Sequence, residues 1–157
     1  MNRWHNDYVD HHAHFCTASV ADRKPRLVGE AIRVLYEAWD NGRTALGVRV
    51  LAYVVMPDHY HTILWAEKGR SIAAFLQRTA SLTAKRLQPG GGFWKERPRV
   101  LPIYSRGATK LDYIHRNPLA RGLVTDPEDW IHSSYRELVC RARDVPFACD
   151  EWQGISV

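Results

Sequence analysis

The chain has little cysteine, and what it has is poorly placed for cross-linking. Cys16, Cys140 and Cys149 are the only three in 157 residues. They are odd in number, widely spaced and form no C-x-x-C, which excludes a disulfide framework and a thiolate zinc site and fits a reducing compartment. Long apolar runs are missing too. None approaches the roughly eighteen residues of a membrane span, and Met1-Asn2-Arg3-Trp4-His5-Asn6-Asp7 carries no apolar signal region. The expectation is a soluble cytoplasmic protein without a membrane partner. Internal repeats and low-complexity tracts are also absent. Acidic residues are fewer than basic ones, 17 against 22, for a formal charge of +5. That balance suits a polyanionic partner but is a weak pointer by itself. With 45% hydrophobic and 25% charged residues, the composition is that of a globular chain. Its length fits one domain, residues 1–157.

The pattern of apolar positions supplies the elements. Residues 8–20 read as a first strand, interrupted by His11, His12 and His14. Leu27, Val28, Ala31, Ile32, Leu35, Ala38 and Trp39 recur at helical spacing, so 26–39 is an amphipathic helix that Asp40-Asn41-Gly42 should end. Residues 46–55 and 62–66 are strands of a hairpin turned by Met56-Pro57-Asp58. Ser71 can cap a helix from 72 to 87, and Pro89-Gly90-Gly91-Gly92 breaks the chain. Val100 to Tyr104 is a fourth strand, held to a sheet edge by Pro98 and Pro102. A helix then starts at Ser105 or Thr109 and is limited near Asn117 by Pro118. Asp126-Pro127-Glu128-Asp129 is a helix start, and Ser134-Tyr135-Arg136-Glu137 reads as a capping box. The order β-α-β-β-α-β-α predicts an α+β fold of the ferredoxin-like, split β-α-β plan. Its antiparallel sheet carries helices on one face, with added C-terminal helices.

Two stretches can carry chemistry. In an extended strand His59 and His61 project from the same side, so the pair can chelate one metal ion. His12-Ala13-His14 has the same spacing, so the spacing alone decides nothing. The second stretch is Lys110 to Pro118. On a helix Tyr113 and Asn117 are i, i+4 neighbours, with Arg106 and Lys110 extending the stripe and Leu111 and Ile114 facing elsewhere. A tyrosine hydroxyl near a divalent metal and cationic side chains becomes a usable nucleophile. Asn117 offers a neutral oxygen beside two imidazoles, a donor set that leaves room for an oxygen-loving ion such as Mg²⁺ or Mn²⁺. Tyr113 as a packed core-edge residue and Asn117 as a turn cap remain the plainer alternatives at this point.

The ordered set Met56-Pro57-Asp58-His59-Tyr60-His61, Phe93-Trp94, Tyr113-Ile114-His115-Arg116-Asn117-Pro118-Leu119-Ala120-Arg121-Gly122-Leu123-Val124, Pro127-Glu128-Asp129-Trp130 and Ser133-Ser134-Tyr135 resembles the single-tyrosine HUH transposases. In detail it is similar to the REP-associated tyrosine transposases, bacterial relatives of insertion-sequence transposases. The resemblance spans residues 8–139, leaving 140–157 as a tail. It implies that His59 and His61 are the metal-binding pair, Tyr113 the nucleophile and Asn117 the third ligand. The implied reaction is ATP-independent transesterification of single-stranded, hairpin-containing DNA through a 5′-phosphotyrosine. Mg²⁺ or Mn²⁺ would be the cofactor, and work at the bacterial nucleoid follows from the substrate. Tyr60 stands where the family more often has an aliphatic residue, which makes it a second tyrosine to place. The REP-associated group is expected to be monomeric; a homodimer is the alternative.

DNA contacts are expected from Arg97, Arg99, Arg106, Lys110, Arg116 and Arg121, with Trp94 as a stacking surface. Two other readings compete. One is a non-catalytic module that grips hairpin DNA or structured RNA. The other is a zinc hydrolase using His59, His61 and His115, which lacks an evident carboxylate base.

Overall fold

The computed structural model describes residues 5–95, 97–105 and 107–152. Its elements in order are β1 (His12–Ser19), α1 (Glu30–Leu46), β2 (Arg49–Met56), β3 (His59–Ala66), α2 (Gly69–Leu87), β4 (Arg99–Pro102), α3 (Gly107–Ala120) and α4 (Tyr135–Leu138). The strands form one four-stranded sheet in the order β2-β3-β1-β4 with every pairing antiparallel. This is the expected ferredoxin-like plan, with β4 on an edge as its prolines require.

The sheet has two covered faces. Cys16, Val50, Tyr53, Val55, Tyr60 and Leu64 meet Trp39 of α1 and Ile72 and Phe75 of α2 in the larger core. Ala13, Phe15, Val54, Met56 and Ile63 meet Ile114 of α3 in a second, smaller cluster. The paired helices α1 and α2 therefore share one face, and the added helix α3 takes the other. A bulge interrupts the alternation along β2: Val50 opposes Leu64 and Ala52 opposes Ile63, so Leu51 is the extra residue and shares the α3 face with Ala52.

Several boundaries differ from the sequence reading, each for a tertiary reason. Asp40-Asn41-Gly42 does not end α1. The helix continues to Leu46 and closes on Gly47 in the left-handed region. Gly42 sits inside because α2 passes close by: a Cβ there would lie 2.8 Å from the Phe75 ring. Helix α2 starts at Gly69 rather than Ile72, without a side-chain cap, so Ser71 is not its cap. Pro118 lies within α3, which ends at Ala120. The capping box at Ser134 does not form. Ser134 Oγ instead accepts from the Tyr53 amide and donates to the Tyr53 carbonyl, while Glu137 accepts from the Cys149 amide. Asp126 does cap its short turn of 3-10 helix, accepting from the Glu128 amide at 2.9 Å.

Strand β2 is the other sheet edge, and the C-terminal segment covers it. The amide of Val55 donates to the His132 carbonyl, Asp150 Oδ2 accepts from the Val50 amide, and the Trp152 indole N–H donates to Leu51. An edge covered this way offers no free row of donors to another chain. Among the described residues no helix is long and apolar enough to cross a membrane.

Candidate functional site

The turn Pro57-Asp58 brings the chain from β2 directly into β3, and the strand's two-residue period then sorts its first three side chains. His59 and His61 face the α3 side, their rings 4.7 Å apart between centroids. Tyr60 faces the larger core, edge-on to Trp39 and Trp94 and 2% exposed. Burial pushes its hydroxyl well above the ordinary tyrosine range. Tyr60 is therefore a packing residue on the far side of the sheet from the histidines.

Helix α3 carries the other half. Ile114, fully buried against the sheet, holds the helix down, and the neighbouring stripe of Lys110, Tyr113 and Asn117 then faces the histidines. The Tyr113 ring centroid is 5.4 Å from His61 and 5.9 Å from Phe15, and Phe15 stacks on His61 at 5.2 Å. Tyr113 remains half exposed. Together these side chains line a cleft of about 570 Å³, with Thr17, Arg23, Arg99 and Arg121 completing its walls.

Each histidine has a fixed outer partner. His59 Nδ1 donates to Asp58 Oδ1 at 2.6 Å, and His61 Nδ1 lies 2.7 Å from Thr17 Oγ1. Burial holds His59 below the usual imidazole range despite the hydrogen bond and charge of Asp58. Burial, aided by His59, Arg23, Lys110 and Arg121, pushes His61 down to about 3. Desolvation opposes ionisation of Asp58, yet His59, Arg23 and Arg121 together hold its carboxyl below the usual range. At neutral pH the pair is two uncharged imidazoles, the form that binds metal.

Asn117 supplies the next clue. It is 7% exposed, and its Oδ1 is buried with no hydrogen-bond partner among the described residues. A buried acceptor left empty costs stability, so such an atom calls for an explanation. Facing the same cleft as two neutral imidazoles, it fits as the oxygen donor of a metal site. No group of three or more His, Cys, Asp or Glu side chains able to hold a metal occurs among the described residues. The donors this cleft would offer a metal are two imidazoles and an amide.

The other expected site residues divide. Arg99, Lys110 and Arg121 line the cleft; Lys110 Nζ stands 4.8 Å above the Phe15 ring. Arg97 and Arg116 are exposed but do not line it, and Arg116 pairs with Asp112 at 3.4 Å. Arg106 lies outside the described residues. Trp94 is not a free stacking surface: its indole N–H donates to Thr83 Oγ1 at 2.7 Å and its ring packs on Tyr60 and Phe93. His115 turns away from the pair to Ser134 Oγ at 2.8 Å, which removes the third ligand of a zinc hydrolase. The earlier pair is likewise no chelate. His14 is fully buried, its Nδ1 donating to the His12 carbonyl and its Nε2 accepting from the Val9 amide.

Sequence reasoning missed Thr17, Arg23 and Asp58. Asp58 had a signal, since a carboxylate adjoining a metal-binding histidine is a common outer partner. Thr17 had none, because it meets His61 only through the register of β1 on β3. Arg23 reaches the cleft from a turn in which both it and Asp22 adopt positive φ, 55° and 57°.

Comparison with known proteins agrees with the motifs. No family model matches the chain. The REP-associated tyrosine transposase of Escherichia coli K12 is 26% identical over 150 residues, covering 90% of this chain and 87% of that protein. The solved structure of a REP-associated tyrosine transposase bound to a REP hairpin superposes with a TM-score of 0.80. It covers 96% of this chain and 98% of its own at 22% identity, a likeness of fold. A protein of Deinococcus radiodurans R1, provisionally assigned as a transposase, gives 0.53 over 74% of this chain and 97% of its own at 24% identity.

Proposed function

We propose, for a chain that resembles the REP-associated tyrosine transposases in both sequence and fold, that it nicks and rejoins single-stranded DNA bearing a hairpin. The observation that carries this reading is the meeting of Tyr113 with the histidine pair, 5.4 Å from His61, in a cleft lined by cationic side chains. His59, His61 and Asn117 would hold a divalent ion, Mg²⁺ or Mn²⁺. Bound there, the ion would polarise the scissile phosphate as a Lewis acid.

The chain's own groups do the rest. The Tyr113 oxygen attacks phosphorus as its phenolic proton passes to water, to which the half-exposed side chain is open. The bond from phosphorus to the 3′ oxygen breaks, and that oxygen takes up a proton. The 5′ phosphate of the downstream segment is then joined to Tyr113, and the upstream segment ends in a 3′ hydroxyl. One phosphodiester replaces another, so no ATP is needed and reversal reseals the strand. Lys110, Arg99 and Arg121 offset the phosphate charge, and the walls of Phe15 and Leu101 keep the reacting group in place. Tyr113 and the histidines meet within one chain, which supports assembly in cis by a monomer. The backbone contacts imply DNA affinity that falls steeply with salt.

The test is to incubate labelled hairpin DNA with Mn²⁺ and resolve protein–DNA adducts under denaturing conditions. Wild type and Tyr60→Phe should form the adduct, and Tyr113→Phe should not. An adduct with Tyr113→Phe would overturn the assignment. Salt-sensitive binding without any adduct across metal concentrations would replace the enzyme with a hairpin-binding module.

A further inference from the structure

Asp58 joins the histidine pair to two arginines, Arg23 and Arg121, that the proposed chemistry does not use together. It is the last residue of the β2–β3 turn and is 8% exposed. Its two oxygens are divided. Oδ1 accepts from His59 Nδ1 at 2.6 Å, while Oδ2 accepts from Arg23 Nε at 2.9 Å and from Arg121 Nη2 at 3.2 Å. The first bond keeps the His59 proton on Nδ1 and leaves Nε2 as the donor nitrogen. The other two gather guanidinium groups from opposite sides, one from the turn after β1 and one from beyond α3.

Both arginines line the cleft and each side chain is 47% exposed. A guanidinium carries five N–H donors in a fixed fork, and one carboxylate oxygen engages only part of each. One negative charge between two positive ones leaves the cluster net cationic with donors to spare. The carboxylate also relieves the repulsion that would otherwise drive the cations apart. Such an arrangement is a preformed receptor for phosphate oxygens.

We infer that Asp58 is a positioning residue that acts in two directions. It orients His59 for metal, and it holds Arg23 and Arg121 as paired donors for a DNA phosphate beside the scissile one. This rests on the strand-transfer reading above. It adds Arg23 to the DNA-binding surface and gives Asp58 a role without contact to substrate.

The experiment uses the full chain and two readouts. Mn²⁺ affinity is measured without DNA, from the electron paramagnetic resonance of free Mn²⁺. The salt dependence of binding to a single-stranded oligonucleotide is measured in EDTA. Asp58→Ala should weaken Mn²⁺ binding by about 10- to 100-fold, and Asp58→Asn, which keeps an acceptor for His59, should recover most of it. The double variant Arg23→Gln/Arg121→Gln should leave Mn²⁺ affinity within a few-fold of wild type. It should also flatten the log–log salt slope by roughly 0.7, one single-strand phosphate contact.

Equal Mn²⁺ affinity in wild type and Asp58→Ala, or wild type that binds no Mn²⁺, overturns the orientation of His59 for metal. An unchanged salt slope in the double arginine variant overturns the paired phosphate donors. Should Asp58→Ala fail to fold, weak Mn²⁺ binding by a folded Asp58→Asn, as judged by circular dichroism, overturns the orientation argument. Absence of adduct with wild type would sink strand transfer while leaving these comparisons able to decide on Asp58.

Discussion

Thr17 and His61 stand opposite one another in the β1–β3 ladder, with Thr17 Oγ1 2.7 Å from His61 Nδ1. With Nδ1 donating to that hydroxyl, Nε2 is free to face the cleft. Thr17→Val keeps the shape and removes the acceptor. It should weaken Mn²⁺ binding by about tenfold, the low end of effects for outer partners of metal-binding histidines, whereas Thr17→Ser should not. Isothermal titration with Mn²⁺ measures this, and equal affinities for Val and wild type would refute it.

Asn117 Oδ1, without a hydrogen-bond partner among the described residues, implies a conflict between stability and metal binding. Leucine at this position removes a buried polar group whose lack of a partner costs about 1–3 kcal/mol. Metal-free Asn117→Leu should therefore melt no lower than wild type, yet lose the rise in Tm that Mn²⁺ gives wild type. Melting curves with and without Mn²⁺ check both halves. A retained Mn²⁺-induced rise would dismiss Asn117 as a ligand.

Two glycines should resist alanine for reasons of space. At Gly42 a Cβ would meet the Phe75 ring at 2.8 Å, and at Gly69 it would meet the Tyr8 carbonyl carbon at 2.6 Å and the Val9 nitrogen at 2.7 Å. Alanine gains about 1 kcal/mol of helix propensity over glycine, but overpacking costs about 1–3 kcal/mol. The Phe75 ring can tilt; backbone yields less. Urea unfolding should show both variants destabilised, Gly69→Ala more than Gly42→Ala, and a stabilised Gly69→Ala would contradict the packing described.

His14 makes the fold sensitive to acid. Its Nδ1 donates and its Nε2 accepts from the Val9 amide, so protonation would set two N–H groups against each other. Burial already holds it below its usual 6.5. The folded value is the lower one, so its contribution is complete above about 6.5 and is lost as pH falls from there towards the folded value. Buried His115 and half-buried His132, both held below the usual imidazole range by desolvation, act in the same direction. His14→Gln should reduce, without abolishing, the stability lost between about pH 7.5 and 5. An undiminished loss in urea titrations would show that another group is responsible.

Local chemistry was legible where it rests on spacing within one element. The period of two in β3 put His59 and His61 on one face, and the helical period of α3 put Tyr113 beside Asn117. Both hold. What depended on a second element was hidden. Nothing near Gly42 announces Phe75, so a residue that reads as a helix terminator lies within the helix. Ser134 has the spacing of a capping box, but its hydroxyl is taken by Tyr53 and His115. Trp94 looked like a platform for bases because its partner, Thr83, lies eleven residues back on α2.

The division of the sheet into two faces has a kinetic corollary. The histidine pair belongs to β3, clamped between neighbouring strands and backed by the α1–α2 core. Tyr113 and Asn117 ride on α3, which is anchored to the smaller cluster through Ile114 and to the chain beyond it through His115 and Ser134. Tyr113, the proposed nucleophile, is thus mounted on the more weakly anchored body. Detachment of α3 would pull the tyrosine from the histidines while the rest of the sheet stays folded. Amide hydrogen exchange should reveal that event as early labelling across 107–120 while β3 stays protected. If Tyr113 is joined to DNA as proposed, such an arm would carry the strand end with it, away from the histidine pair.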